Sequence, residues 1–457
     1  MVDFMMHFPK GFLWGTATAA HQVEGGNTNN QWYEWETTGP GHVFQNQQSG
    51  LACDWWGGRY REDFDRAVEM HNNAHRFSVE WSRIEPEPGQ FDETALECYA
   101  QMVAALHERQ LEPMITLHHF TNPLWIEKAG GWTNPETIQH FDRFVRRVVQ
   151  ALGNNVKFWC TINEPMVYAT QSYLLGRFPP GRHDLGQTMR VVEHMLRAHA
   201  LVYRGIKEIQ PNAQVGFAKH QISLKPRFPA WVNTPARNYV RNFFNYAFVE
   251  ALMSGVLRLP TRKIRVPDVR DTLDWIGLNY YYRFVVSFNL LMPRSLFLQQ
   301  TRPRDGIQGP GDTGEIWPEG LFEHIEWLCK TTGKPLYITE NGVPDPDDSL
   351  RPLHLIRSLR SVWQAINHNY PVKGYFVWTL LDNFEWAEGY DPRFKFGLYA
   401  CDPASQERTK RRSADLYGEI CAANALTADM IRRYVPDLAD QLLPGIETQP
   451  EVNLPPR

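Results

Sequence analysis

The sequence predicts an α/β fold, a single (β/α)8 barrel with elaborated loops at the C-terminal face of its strands. Two observations lead there. Eight short β-like runs alternate with amphipathic helical stretches along the whole chain. Several of these runs open on dense apolar residues and close on polar ones. Strands buried on both faces read this way when their last residues project into a site at a barrel mouth.

In chain order the runs are 11–17 (GFLWGTA), 74–81 (AHRFSVEW), 112–120 (EPMITLHHF), 156–165 (VKFWCTINEP), 213–220 (AQVGFAKH), 274–281 (DWIGLNYY), 335–341 (PLYITEN) and 372–380 (VKGYFVWTL). Between them, segments 93–109, 136–151, 187–209 and 353–368 repeat apolar positions at three and four, the helical spacing. Strand–helix alternation argues for a parallel sheet, and eight units argue for closure of the TIM-barrel kind. No linker divides the chain, so residues 1–440 read as one domain. The Gly- and Pro-rich stretch 299–319 falls between the sixth and seventh runs, where a loop over the site belongs. The longest apolar run, Val285 to Leu298, is interrupted by Pro293 and Arg294. It is shorter than the about 20 residues a bilayer span needs and reads as a lid or an interface loop. Residues 441–457 are Pro-rich and weakly periodic and read as a disordered tail.

Composition narrows the function classes. With 47 Lys+Arg against 51 Asp+Glu, the net charge of −4 supplies no strong overall field for nucleic acid or an anionic membrane, and a neutral partner fits better. The six cysteines are widely spaced and make no zinc motif, so they read as reduced thiols and no metal is expected. GxxxxGK[ST], HExxH and a Gly-rich fingerprint after a strand are all absent, so no cofactor is expected either. The first residues, MVDFMMHFPKGFLWG, hold no apolar stretch ahead of a small-residue cleavage site, which points to the cytoplasm. Aromatic residues make up 13% of the chain, and beyond core packing their faces can stack on sugar rings.

The strongest chemical signals are Thr161-Ile162-Asn163-Glu164-Pro165 and Ile338-Thr339-Glu340-Asn341-Gly342. Each sets a Glu at the polar end of a buried run, and on a barrel both ends open on one face. Paired carboxylates suit cleavage of a glycosidic bond. One protonates the leaving oxygen, while the other attacks or stabilises the developing oxocarbenium carbon.

These motifs resemble the acid/base and nucleophile motifs of glycoside hydrolase family 1, the β-glucosidases and their relatives. The resemblance runs from FPKGFLWGTATAAHQVEG through HRFSVEWSRIEP and WTLLDNFEWAEGY to the region of Tyr417. It implies a retaining, double-displacement β-glycosidase with Glu164 as acid/base and Glu340 as nucleophile. Its substrate would be a β-linked di- or oligosaccharide or an aryl or alkyl β-glycoside carrying terminal glucose, fucose or galactose. Charge coupling should leave Glu340 anionic while Glu164 holds the proton. The resemblance also implies a sugar pocket of Gln22, His119, Asn163, Glu385 and Trp386, with Trp378 as a stacking platform. Tyr281 would be the phenol that bonds the nucleophile, Arg76 its cation, and Asn279 a residue that orients the site. An anionic Glu385 would repel a phosphorylated sugar. Two departures stand out. Phe120 occupies a position where the family usually has Trp, and the sequence DPRFKFG after Tyr390 leaves Phe394 or Phe396 as the pocket aromatic, with Phe396 favoured by its place before Gly397.

Other readings stay open at this point. His119 also suits a satisfied polar strand end, and Trp378 and Trp386 also suit a core; His118, on the opposite face from His119, reads as structural. A catalytically inactive sugar-binding relative, an enzyme that mainly transglycosylates, and a homo-oligomer are all compatible with the sequence.

Overall fold

In a computed structural model of the protein, which describes residues 5–291, 298–303 and 306–442, all eight expected runs form strands. They are β1 (Leu13–Ala17), β2 (Ala74–Ser78), β3 (Glu112–Thr116), β4 (Phe158–Asn163), β5 (Gln214–Pro226), β6 (Trp275–Phe288), β7 (Leu336–Asn341) and β8 (Val372–Trp378). Each pairs in parallel with the next. The pairing of β8 with β1, from Gly374 opposite Leu13 to Trp378 opposite Ala17, closes the ring. This is the (β/α)8 barrel the alternating pattern predicts.

The major helices that follow the strands are α1 (Tyr60–Glu69), α2 (Glu93–Glu108), α3 (Thr137–Leu152), α4 (Leu185–Ile209), α5 (Ala247–Ser254), α6 (Gly320–Thr332), α7 (Arg351–Asn367) and α8 (Arg412–Ala423). Their ends follow local chemistry. Asp92 starts α2 by accepting from the backbone N–H groups of Thr94 and Ala95, and Gly333, at φ 63°, ends α6 where a side chain would be strained. On α3, Phe141, Phe144, Val145, Val148 and Leu152 recur at helical spacing and are buried against the barrel. Each such side chain stabilises the fold by about 1.5–3 kcal/mol.

The far end of the chain seals the base. Met5–His7 pairs antiparallel with Ala425–Thr427, and the Tyr417 hydroxyl of α8 lies 2.8 Å from the Gly15 carbonyl oxygen and 3.1 Å from that of Tyr375.

Two strands depart from the expected lengths. β5 has 13 residues and β6 has 14, whereas the other six have five to seven. They stay paired from Gly216 opposite Trp275 out to Pro226 opposite Val286, so they rise well past the barrel mouth. Leu298–Thr301 and Glu315–Ile316 add antiparallel to β6. Part of the expected loop 299–319 is therefore strand, and the front of the apolar run from Val285 belongs to β6 rather than to a lid. The rest of that run, residues 292–297, lies outside the described residues, as do residues 443–457 of the expected tail. The helix Ala230–Val240 packs on this protrusion, and Ile222, Ala236, Val240 and Val286 form a small core of its own.

Candidate active site

The C-terminal ends of the strands bring all twelve sequence-predicted site residues to one face. Arg76, on β2, is the hub. Its guanidinium donates to Thr116 Oγ1 (3.1 Å), to the Thr339 carbonyl oxygen (3.1 Å), to Glu340 Oε1 (2.7 Å) and to Asn163 Oδ1 (2.7 Å). Those partners lie on β3, β7 and β4, so one planar fork spans the barrel interior. A guanidinium suits this role because its donors are rigidly splayed and always charged.

Glu340 accepts a second bond from Tyr281 OH at 2.7 Å, so both of its oxygens are engaged. Asn279 stands opposite Glu340 on the ladder between β6 and β7, and its amide donates to Glu164 Oε1 at 2.7 Å and to Asn163 Oδ1 at 3.1 Å. Its own oxygen accepts from Thr339 Oγ1 at 2.6 Å. One continuous network therefore runs from Glu340 through Arg76, Asn163 and Asn279 to Glu164.

Local backbone explains the motif residues around the acids. Glu164 sits at φ 48°, ψ 57°, left-handed and strained for a side chain, just before the helix Pro165–Tyr173. Pro165 takes the first helical position, where its missing N–H costs nothing. Strain of this kind, on the order of 1–3 kcal/mol, collects at functional positions. After Glu340, Gly342 is required by space, because a Cβ there would meet the Trp378 carbonyl oxygen at 2.0 Å.

The pocket walls come from the loops after β1, β3 and β8. Gln22 Nε2 donates to Asn383 Oδ1 (3.0 Å) and to the Phe384 carbonyl (2.8 Å), and lies 3.5 Å from Glu385 Oε2. Trp378 Nε1 reaches Glu385 Oε1 at 3.3 Å. Asp382 fixes this segment: it takes a two-pronged ion pair from Arg411 at 2.9 and 2.7 Å and accepts from the Gly397 N–H at 2.8 Å. The His119 ring lies nearly parallel to both Trp378 (6.1 Å between centroids) and Trp386 (6.0 Å). Its Nε2 accepts from Asn163 Nδ2 at 3.1 Å, and burial, with the Arg76 charge behind it, holds the imidazole well below its ordinary pKa. The proton of the neutral ring therefore sits on Nδ1. That atom and Gln22 Oε1 are buried and make no hydrogen bond within the protein. His118 turns away, bonds Asn122 at 2.9 Å and packs on Trp132 and Tyr168, a structural role.

Of the two pocket-aromatic candidates, Phe396 meets Tyr281 edge-on at 6.0 Å, beside Glu340, while Phe394 lies against Gly311 of the outer loop. Phe120 is buried against His119, Phe178 and Trp386 and offers no polar atom.

The electrostatics differ from expectation in two places. Burial pushes Glu340 up to about 7, against the opposing pull of Arg76 and Tyr281. Burial also acts to raise Glu164, but the charge of His220 and the hydrogen bond from Asn279 outweigh it and hold Glu164 below its usual range. While His220 is protonated, the proton shared by the two acids thus favours Glu340, the reverse of the expected order. His220 Nδ1 lies 3.2 Å from Glu164 Oε1 but makes no well-aligned hydrogen bond, so its charge is the effective part. The setting of Glu340, with a donor on each oxygen, serves the ionised form. Glu385 is the second departure. Burial raises it well above the carboxylate range, and the acids Glu388, Glu340 and Asp382 push it further, so the protonated form is favoured rather than an anion.

Two neighbours carried no assignment from sequence. His220 closes the fifth run, at the same polar strand end as the other site residues, and that position was the available signal. Lys219 beside it is fully buried, lies over the Phe244 ring at 4.9 Å, donates to the His220 carbonyl and is pushed down to about 7 by burial.

Comparison with known proteins finds relatives along nearly the whole chain. The family described as Glycosyl hydrolase family 1 matches residues 4–426. Beta-glucosidase A of Thermotoga maritima is 32% identical over 448 residues, covering 92% of this chain and 98% of that protein. A beta-galactosidase of Pyrococcus woesei is 31% identical, covering 92% of this chain and 98% of its own length. Among solved structures, a beta-glycosidase from Pyrococcus horikoshii superposes with a TM-score of 0.87 at 34% identity, covering 94% of this chain and 98% of that one.

Proposed function

The chain belongs to glycosyl hydrolase family 1, and from that premise we propose that Glu340 is the nucleophile and Glu164 the acid/base of a retaining β-glycosidase. The enzyme is an O-glycoside hydrolase of the β-glucosidase type acting on terminal β-linked glucose, with β-fucose and β-galactose as further candidates. The observation that carries the residue assignment is Asn279, which faces Glu340 on the β-ladder while its amide holds Glu164 at 2.7 Å. Both carboxyls are thereby tied into one hydrogen-bonded network at the C-terminal ends of the strands.

In the productive form Glu340 is ionised and Glu164 carries the proton. Glu340 attacks the anomeric carbon as Glu164 protonates the departing oxygen, which gives a glycosyl ester. The ester bears no charge, so Glu164 loses an anionic neighbour, becomes more acidic and can take a proton from the incoming water. The Asn163 amide, already oriented by Arg76 and Asn279, suits the sugar 2-hydroxyl. Gln22 Oε1 and His119 Nδ1 supply an acceptor and a donor for further hydroxyls, and burying either unpaired would cost about 1–3 kcal/mol. Trp378 and Trp386 offer faces for the ring, Glu385 a group for the outer hydroxyls, and Phe396 a wall beside Tyr281. The acid-rich surroundings of Glu385 support an unphosphorylated sugar, because a phosphate would meet Glu388 and Asp382 there. The six free thiols suit a reducing compartment, and we assign the cytoplasm on that ground.

Proton NMR of the first-formed sugar tests the mechanism, and initial release of the β-anomer from a nitrophenyl β-glucoside is expected. Initial α-anomer would reject the double displacement. Full activity in Glu340→Ala would reject the nucleophile.

A further inference from the structure

The outer end of the protrusion built by β5, β6 and the helix Ala230–Val240 exposes large apolar side chains to an unusual degree. Phe228 is 90% exposed, Trp231 82%, Leu290 71% and Leu291 89%. They share one tip. The Arg227 N–H bonds the Val286 carbonyl at 2.9 Å, and Asn233 ties the pieces together by donating to the Arg227 carbonyl (3.1 Å) while accepting from the Phe288 N–H (3.0 Å). The helix is apolar on both sides: Ala236 and Val240 face the small inner core, while Trp231, Val232 and Tyr239 face out. A soluble surface helix keeps its outward face polar.

Charge is segregated in the same place. Residues 221–249 hold Lys225, Arg227, Arg237 and Arg241 and no Asp or Glu, in a chain whose net charge is −4, and Lys225 and Arg227 are exposed beside Phe228. The overall balance hides a cationic end.

We propose that this tip is a docking surface for an anionic phospholipid bilayer. Aromatic and leucine side chains flanked by Lys and Arg form the composition that settles into the headgroup region without spanning the membrane. The alternative of a second protein copy fits less well. The exposed side chains crown a projection rather than forming a flat, self-complementary face. The geometry gives the docking a consequence. From His220 and Tyr281 in the site the two strands climb six or seven residues to the tip, about 20 Å at the rise of a β-strand. A seated tip holds the barrel mouth near the same surface, where β-glycosides with a lipid aglycone are presented. That last step rests on the glycosidase reading, whereas the docking does not.

The test is cosedimentation of the full chain with phosphatidylcholine vesicles, either pure or containing about 30% phosphatidylglycerol, at low and high salt. The wild type should pellet with the anionic vesicles, and less so at high salt. Phe228→Ser/Trp231→Ser and Leu290→Ser/Leu291→Ser should each lower partitioning about tenfold or more. Lys225→Ser/Arg227→Ser, which leaves the apolar tip intact, should remove the preference for anionic lipid. All variants should hydrolyse a nitrophenyl β-glucoside in vesicle-free solution as the wild type does, which verifies their folds. Wild type that stays in the supernatant, or apolar-tip variants that partition equally well, would overturn the proposal. So would light scattering that finds a wild-type dimer abolished by the same substitutions, because the tip would then be a protein interface.

Discussion

Tyr281→Phe tests the heart of the site without disturbing its packing. The phenol donates to Glu340 Oε2 at 2.7 Å, while its ring packs near His220 at 5.9 Å and Phe396 at 6.0 Å, contacts that phenylalanine keeps. A hydrogen bond to a charged group is worth about 1.5–3 kcal/mol, and one pKa unit corresponds to about 1.36 kcal/mol, so Glu340 should rise by roughly one to two units from its value of about 7. A carboxyl with a raised pKa needs higher pH to ionise. Because the shared proton favours Glu340, the form with Glu340 ionised and Glu164 protonated is the minor one, and it becomes about 10- to 150-fold rarer. The assay is kcat/KM on a nitrophenyl β-glucoside across pH, with thermal melting to verify the fold. The expected result is a loss of that size and a shift of the Glu340-governed limb to higher pH. A loss below about threefold at every pH, or a limb that stays in place, would refute the reasoning.

Further predictions follow from the same geometry. Glu164→Ala should lower kcat/KM about 10²–10⁴-fold for a poor leaving group but far less for dinitrophenolate, which departs without a proton; equal losses on both substrates would remove Glu164 from the acid role. Lys219→Met addresses a buried amine whose pKa is lowered to about 7 from 10.5. The unfolded chain keeps that proton up to about pH 10.5 while the native chain releases it above about 7, so the wild type gains stability from this lysine as pH rises through that window. The melting temperature of Lys219→Met relative to wild type should accordingly be highest near pH 7 and decline toward pH 10, and melting curves in parallel buffers check it.

Much of the molecule was legible from residue order because parallel barrel strands are buried on both faces and leave compact apolar runs. Their polar ends marked the site, since a buried run closing on Asn-Glu or Thr-Glu-Asn has few bland explanations. The true reach of β5 and β6 was not legible. Past His220 and Tyr281 the sequence turns mixed, because those residues pair with each other above the mouth and are no longer enclosed by a ring of helices. The ionisation order was also hidden. It depends on His220 lying near Glu164, two groups 56 residues apart that only strand pairing brings together. Glu385 misled for a similar reason, since its charge is decided by acids gathered around it in space.

The four acceptors of Arg76 have a consequence for the molecule as a whole. They belong to staves of the cylinder contributed by both halves of the chain, so Glu340 gains its partner only when early and late segments have come together. Turnover is thereby a report on completed assembly: a population with one stave out of place can be compact and helical yet silent. Recovery of activity during refolding should trail recovery of helical circular dichroism.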